Sequence, residues 1–228
     1  MIIITGASKG IGRYLFSQFE KAGMEVIGTY HSSAGGFEDN PAYFKVNISD
    51  FDNVKNWIDS IKDKLSNVVL LNCAGISYNS FAHKADIECW NQVIDINLKG
   101  TFNVIRCVLP IMREQQYGRI INFSSIVTKL PTPGVSAYAA SKAGLIGLTK
   151  SLAIENGQKG VTANAINLGY AALGMGVEEV PEVYQAKMKS QIPLERFCAP
   201  DEIYNTVNYL INTEYTNGAA IDINGGIV

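Results

Sequence analysis

The first twelve residues limit what this chain can fold into more than any other stretch. Met1-Ile2-Ile3-Ile4-Thr5 is a short, β-branched run of the kind that forms a strand buried on both faces. Gly6-Ala7-Ser8-Lys9-Gly10-Ile11-Gly12 follows without a spacer. A helical pattern comes next, with Ile11, Leu15, Phe16 and Phe19 on one face, and ends near Gly23. In a strand–glycine turn–helix unit, small residues let the backbone approach a pyrophosphate, and the helix N-terminus offers free N–H groups and a positive dipole end. The spacing here is G-x-x-x-G-x-G rather than the usual G-x-G-x-x-G. A plain tight turn is the alternative, but the position at the first βα junction favours dinucleotide binding.

The rest of the chain repeats the strand–helix alternation. Further strands are expected at 25–30, 42–46, 68–71, 119–123, 162–168 and 219–223. Between them, 50–65 carries one apolar face with Asp50 as an N-cap or first-turn acid, 86–116 is a long helix with a break at Gly100 and a kink near Pro110, and 135–155 is rich in small residues. A short helix at 182–191 and a capped one at 200–211 complete the set. Such alternation predicts an α/β chain: one doubly wound Rossmann fold over 1–228, with a mainly parallel seven-stranded sheet and helices on both faces. The stretch 170–197 lacks a strand pattern and is expected to form a substrate lid past a strand end.

Several function classes are excluded by composition. Net charge is −2 with both signs interspersed, without the basic stripe of a nucleic-acid binder. Cys73, Cys89, Cys107 and Cys198 are widely spaced and His31 and His83 stand apart. No metal site or disulfide framework is therefore expected, and the thiols read as buried and reduced. No apolar run reaches the length of a membrane span, and a strand opens the sequence where a leader would stand, so a soluble cytoplasmic protein is expected.

Two local signals point to chemistry. After the second strand the sequence reads Thr29-Tyr30-His31-Ser32-Ser33, with no acid until Glu38. A carboxylate at this place would bind a ribose 2′-hydroxyl and repel a 2′-phosphate; its absence, with Lys9 in the glycine loop, favours NADP(H). An exposed loop histidine is the plain reading of His31. Separately, Tyr138 and Lys142 stand four apart on a helix face. An ammonium beside a phenol favours the phenolate, so the pair could form a proton donor for a carbonyl oxygen.

Taken together, Thr5–Gly12, Asn72-Cys73-Ala74-Gly75, Asn97, Ser125, Tyr138 with Lys142, and the closing Asn224-Gly225-Gly226 resemble the classical short-chain dehydrogenase/reductase family over nearly the whole chain. The stretches 118–125 and 192–197 are similar to its 3-oxoacyl-(acyl-carrier-protein) reductases. The resemblance implies that Tyr138 is the general acid, that Lys142 lowers its pKa and holds the nicotinamide ribose, that Ser125 polarises the carbonyl, and that Asn97 holds a relay water. It implies cofactor contacts at Gly6, Ser8, Lys9, Gly10, Ile11, Gly12, His31, Asn47, Ile48, Asn72, Ala74, Gly75, Tyr138, Lys142 and Gly169. Ser125 is preferred to Ser124 because it precedes Tyr138 by the family's usual interval.

The expectation is NADPH-dependent reduction of a ketone, a 3-oxoacyl thioester of fatty acid biosynthesis, by a homotetramer or homodimer. Another ketone or secondary alcohol, such as a sugar, is the enzyme alternative; a non-catalytic NADP(H) sensor is the remote one. Three positions depart from the family pattern: Asn47 for Asp, Leu168 for Pro, and Leu173 for a Thr that touches the cofactor. Of two basic positions that dock an acyl carrier near the cleft, Lys159 matches one and Gln116 occupies the other.

Overall fold

The computed structural model describes all residues except 33–35, 37–38, 175–176 and 178–179. Glu38 and part of the expected lid therefore lie outside the described residues. Strands β1 (Ile2–Thr5), β2 (Val26–Tyr30), β3 (Tyr43–Lys45), β4 (Val69–Asn72), β5 (Gly118–Ser125), β6 (Val161–Leu168) and β7 (Ala220–Ile223) form one seven-stranded sheet in the order 3-2-1-4-5-6-7. Every neighbouring pair is parallel, where the sequence promised only a mainly parallel sheet. The direction of winding reverses between β1 and β4, which opens a crevice at their carboxyl ends.

The opening run of the chain shows why both faces are covered. Ile3 packs with Val54, Trp57, Ile58, Val104, Val108 and Leu152 on one side of the sheet. Ile2 and Ile4 pack with Leu15, Phe16, Phe19, Ile203 and Val207 on the other. All three isoleucines are fully buried, each contributing about 2 kcal/mol of hydrophobic stabilisation. The first layer is built on α2 (Phe51–Ile61), α4 (Thr101–Glu114) and α5 (Ser136–Asn156); the second on α1 (Gly10–Lys21) and α7 (Pro200–Asn212). Asp50 caps α2, its carboxylate accepting from Asn53 N at 3.0 Å.

The long middle helix is not continuous. It comprises α3 (Ile87–Ile94), a π-helical turn over Asp95–Gly100, and then α4. The interruption ends at Gly100, the break read from the sequence, and α4 runs through Pro110 to Glu114. A π turn inserts an extra residue and re-aims the side chains around it; here it turns Asn97 fully inward. The remaining helix, α6 (Glu182–Ser190), buries none of its residues.

Buried amides hold the sheet and α5 together. Asn72 Nδ2 donates to Asn122 Oδ1 (2.8 Å), Asn122 Nδ2 to Thr149 Oγ1 (2.9 Å), and Thr149 Oγ1 to Leu145 O (2.7 Å). This relay links β4, β5 and α5, and fixes the height of α5 against the sheet. At the opposite end of β5 the buried Arg119 guanidinium bonds the carbonyls of Ile211, Gly118 and Gly160 and the Glu214 carboxylate, tying down the end of α7.

Candidate active site

The carboxyl ends of β1 and β4 face each other in register, Thr5 opposite Asn72. Ala74 N donates to Thr5 Oγ1 at 3.2 Å. This closeness dictates the glycines. Gly6 has φ +68, and a Cβ there would lie 2.8 Å from Ala74 Cα. A Cβ on Gly12 would lie 2.3 Å from Gly6 O, so the first turn of α1 can pack against the loop only without a side chain. β2 is tied to the same loop, Ala7 N donating to Thr29 O at 2.8 Å and Gly6 N to Thr29 Oγ1 at 3.4 Å.

On the other side of the crevice, side chains do the positioning. Tyr138 and Lys142 lie one turn apart on α5. The buried Lys142 ammonium donates to Phe123 O at 2.7 Å and lies 5.4 Å from the centre of the Tyr138 ring. Ser124 Oγ donates to Lys142 O at 2.9 Å, which commits that hydroxyl to holding the helix. Ser125 Oγ accepts from Val127 N at 3.4 Å and hydrogen-bonds the Tyr138 hydroxyl. The two serines thus divide the labour, one to the helix and one to the tyrosine.

Asn97 joins three segments. Its Oδ1 accepts from Ile76 N (2.8 Å), and its Nδ2 donates to Ile76 O (2.9 Å) and to Ser141 Oγ (3.1 Å). Ser141 Oγ in turn donates to Tyr138 O at 2.8 Å. The amide therefore clamps the loop after β4 to α5. Both Nδ2 hydrogens are committed to protein partners, while Oδ1 accepts one bond and keeps a second lone pair.

The electrostatics depart from expectation at one point. Burial pushes the Tyr138 hydroxyl above its ordinary value, and the Ser125 hydrogen bond only partly offsets this. Lys142 does not lower it here, because its ammonium is directed at Phe123 O. Burial instead lowers Lys142 itself to about 8, with the nearby Cys73 thiol opposing the shift. Burial also pushes the Cys73 thiol up, against the pull of Lys142, so this thiol stays neutral. All four cysteines are unpaired and of intermediate exposure rather than fully buried.

These edges enclose a cavity of about 360 Å³, within the usual range of ligand clefts. Gly6, Ser8, Lys9, Gly10, Ile11, Gly12, His31, Asn47, Ile48, Ala74, Gly75, Ser125, Tyr138, Lys142 and Gly169 all line it. Asn72 and Asn97 do not: both stand behind the wall, Asn72 paired with Asn122. Leu173, standing where the family has a Thr that touches the cofactor, lines it as well. Thr29 and Ile96 also line it and were not anticipated; the polar Thr29 at a strand's carboxyl end was the one available signal. Asn47 spends its Oδ1 on Ser49 N and Oγ, at 3.2 and 2.8 Å. Gln116 and Lys159, expected near the cleft, adjoin the amino ends of β5 and β6. That is the opposite edge of the sheet from Ser125, about 25 Å away at the rise of an eight-residue strand. Among the described residues no group of three or more metal-ligating side chains occurs, and no helix is long and apolar enough to cross a membrane.

Sheet order, glycine loop and the Ser–Tyr–Lys cluster agree with a wider comparison. A family model described as short chain dehydrogenase matches residues 1–183. The chain belongs to the short-chain dehydrogenase family and is an oxidoreductase of that family. Among its relatives is 3-oxoacyl-(acyl-carrier-protein) reductase FabG from Staphylococcus aureus, 37% identical with 99% of this chain and 96% of the relative covered. The FabG of Thermotoga maritima is 35% identical over the same shares, and the acetoacetyl-CoA reductase of Shinella zoogloeoides is 37% identical over 98% and 96%.

Proposed function

We propose that this protein reduces the keto group of a 3-oxoacyl thioester to a secondary alcohol, using NADPH. The observation that carries the reading is the convergence of Ser125, Tyr138 and Lys142 on a cavity whose other end is the glycine loop. The cavity suits a dinucleotide: a side chain on Gly6 or Gly12 would clash with the backbone around it, and Ser8, Lys9, Gly10 and Ile11 line it at the start of α1, where a helix N-terminus favours a pyrophosphate. Asn47 and Ile48 would hold the adenine end, Lys9 and His31 a 2′-phosphate, Ala74, Gly75 and Gly169 the middle, and Tyr138 and Lys142 the nicotinamide ribose. When bound, the nicotinamide supplies the hydride.

The chain's own residues supply position and proton. Ser125 and Tyr138 hydroxyls both donate to the ketone oxygen. A Tyr138 raised above its ordinary pKa stays protonated at neutral pH and gives its proton as the alcohol forms. Lys142, charged below about pH 8, is the nearby cation that stabilises the tyrosinate left behind. Asn97 holds α5 and the loop after β4 in register. The segment 170–197 serves as the lid of a single-domain enzyme. A homotetramer or homodimer is supported by Phe102 on α4 and Ile154 on α5, apolar side chains left 46% and 85% exposed.

Both carrier-bound and coenzyme-A thioesters are substrates in the names of the protein's relatives, FabG and acetoacetyl-CoA reductase. The test is NADPH oxidation with a matched pair of 3-oxoacyl thioesters, one on coenzyme A and one on an acyl carrier protein. Turnover of either supports the reductase. A protein that binds NADPH and leaves both untouched acts on another ketone, and the substrate assignment falls.

A further inference from the structure

We propose that Asp222 is a positioning residue for the reaction: through its ion pair with Lys129 it fixes the short turn that sets the Ser125 hydroxyl. This deepens the reductase reading above and rests on its assignment of Ser125. Ser125 opens a short helical turn over Ile126–Thr128. Its hydroxyl accepts from Val127 N at 3.4 Å, and its carbonyl accepts from Thr128 Oγ1 at 2.9 Å. Lys129 N and Leu130 N close the turn on Ile126 O, at 2.8 and 2.7 Å. Both polar atoms of Ser125 are thus tied to the turn, and the far end of the turn is tied to β7. Lys129 Nζ lies 2.5 Å from Asp222 Oδ2.

The sheet sets Asp222 up for this contact. Register places Ser124, Asn167 and Asp222 side by side on β5, β6 and β7, and residues in such a row share a face. At one end of the row Ser124 holds Lys142 O on α5; at the other, Asp222 holds Lys129. The two segments that bring the Ser125 and Tyr138 hydroxyls together are therefore anchored to one row. Between its ends, Asn167 Nδ2 donates to Asp222 Oδ1 at 2.9 Å. Asn167 is fully buried, and its Oδ1 has no hydrogen-bond partner among the described residues. An apolar side chain would avoid that cost, so what the amide contributes is its bond to Asp222. Burial alone would raise the Asp222 carboxyl; the bonds from Lys129 and Asn167 outweigh it and hold the group below its ordinary value. The ion pair itself is 48% exposed at Lys129 and 33% at Asp222, so it adds little to global stability. What it fixes is the place of the turn, and with it the serine hydroxyl.

The test is kcat and KM for NADPH-dependent reduction of a 3-oxoacyl thioester by Asp222→Asn, Lys129→Met and the double variant. Each is made in wild type and in Ser125→Ala. Asp222→Asn keeps the acceptor for Asn167 and removes only the charge. In wild type each single change should lower kcat by about tenfold, because a reacting group that drifts from its place loses rate. The double variant should be no slower than either single one, since both remove the same contact. In Ser125→Ala none of the three should change kcat further. Lys129→Arg, which keeps the ion pair, should keep kcat. NADPH affinity and the urea unfolding midpoint should stay at the wild-type values throughout. Equal losses with and without the Ser125 hydroxyl would overturn the inference, and so would an unchanged kcat in every variant; both leave the reductase reading intact. A wild-type protein that reduces no 3-oxoacyl thioester would remove that reading, and this inference with it.

Discussion

The floor of the site and its lid are built on opposite plans. On the floor, Ser124, Asn97, Ser141, Asn122 and Lys142 each spend their polar atoms on named partners in β5, α5 or the loop after β4. In the lid, α6 buries no side chain at all, and Val183, Tyr184 and Leu194 stand 81%, 63% and 60% exposed. A densely bonded floor holds reacting groups to a fixed geometry, as proton transfer requires. A lid with few buried contacts opens at low cost. On the proposed reading, the reaction type is set where the structure is rigid, and substrate choice where it is loose.

Substitutions should separate the two regions, beginning with Lys142. Burial holds this ammonium near 8, well below its ordinary 10.5. The unfolded chain binds the proton more tightly, so the stability contributed here is lowest below pH 8 and rises as pH climbs toward 10.5. Lys142→Met should lower kcat by about a thousandfold. The same change should leave the protein as stable or more stable at pH 7, by up to about 3 kcal/mol in urea unfolding. A large destabilisation would mean that the floor is built for stability, not for chemistry.

The two serines sharpen the contrast within the floor. Ser125→Ala should cost about a hundredfold in kcat with little change in unfolding free energy. Ser124→Ala should do the reverse, losing about 1 kcal/mol of stability by removing the donor to Lys142 O, with kcat nearly kept. Equal kinetic losses in both variants would contradict the division of labour drawn from their hydrogen bonds.

Reduction rates should also carry an alkaline limb. They should decline as pH passes the Lys142 value of about 8, while the raised Tyr138 remains protonated. A rate unchanged well above that pH would show that Lys142 acts without its charge. At the loose end of the comparison, Val183→Ser should leave unfolding within about 0.5 kcal/mol of wild type. Its effect should fall on KM for the thioester.

The same contrast explains what the sequence disclosed. The β-branched run Met1–Thr5, the glycines behind it and Tyr138 with Lys142 are local patterns, and local patterns survive without coordinates. The doubly wound, mainly parallel seven-stranded sheet followed from the alternation of strands and helices, whereas its strand order is seen only in the structure. The π turn at Asp95–Gly100 could not be seen, because periodicity alone does not reveal one extra residue in an apolar helix. The role of Ser124 depended on a contact with α5, eighteen residues away. Lys142 was expected to act on the Tyr138 pKa, yet the ammonium is turned to Phe123 O, a direction that four-residue spacing does not fix. Gln116 and Lys159 were matched by position in the chain, and only the sheet register put them at the far edge.

The central claim is that the pinned floor reduces a ketone through the Tyr138 proton, and Tyr138→Phe tests it most directly. NADPH binding and 3-oxoacyl thioester reduction should be measured on the same preparation of this variant and of wild type. The account predicts NADPH affinity within about threefold of wild type and kcat reduced by about a thousandfold or more. Turnover within about tenfold of wild type, with the cofactor still bound, would contradict it, because the proton would then come from elsewhere.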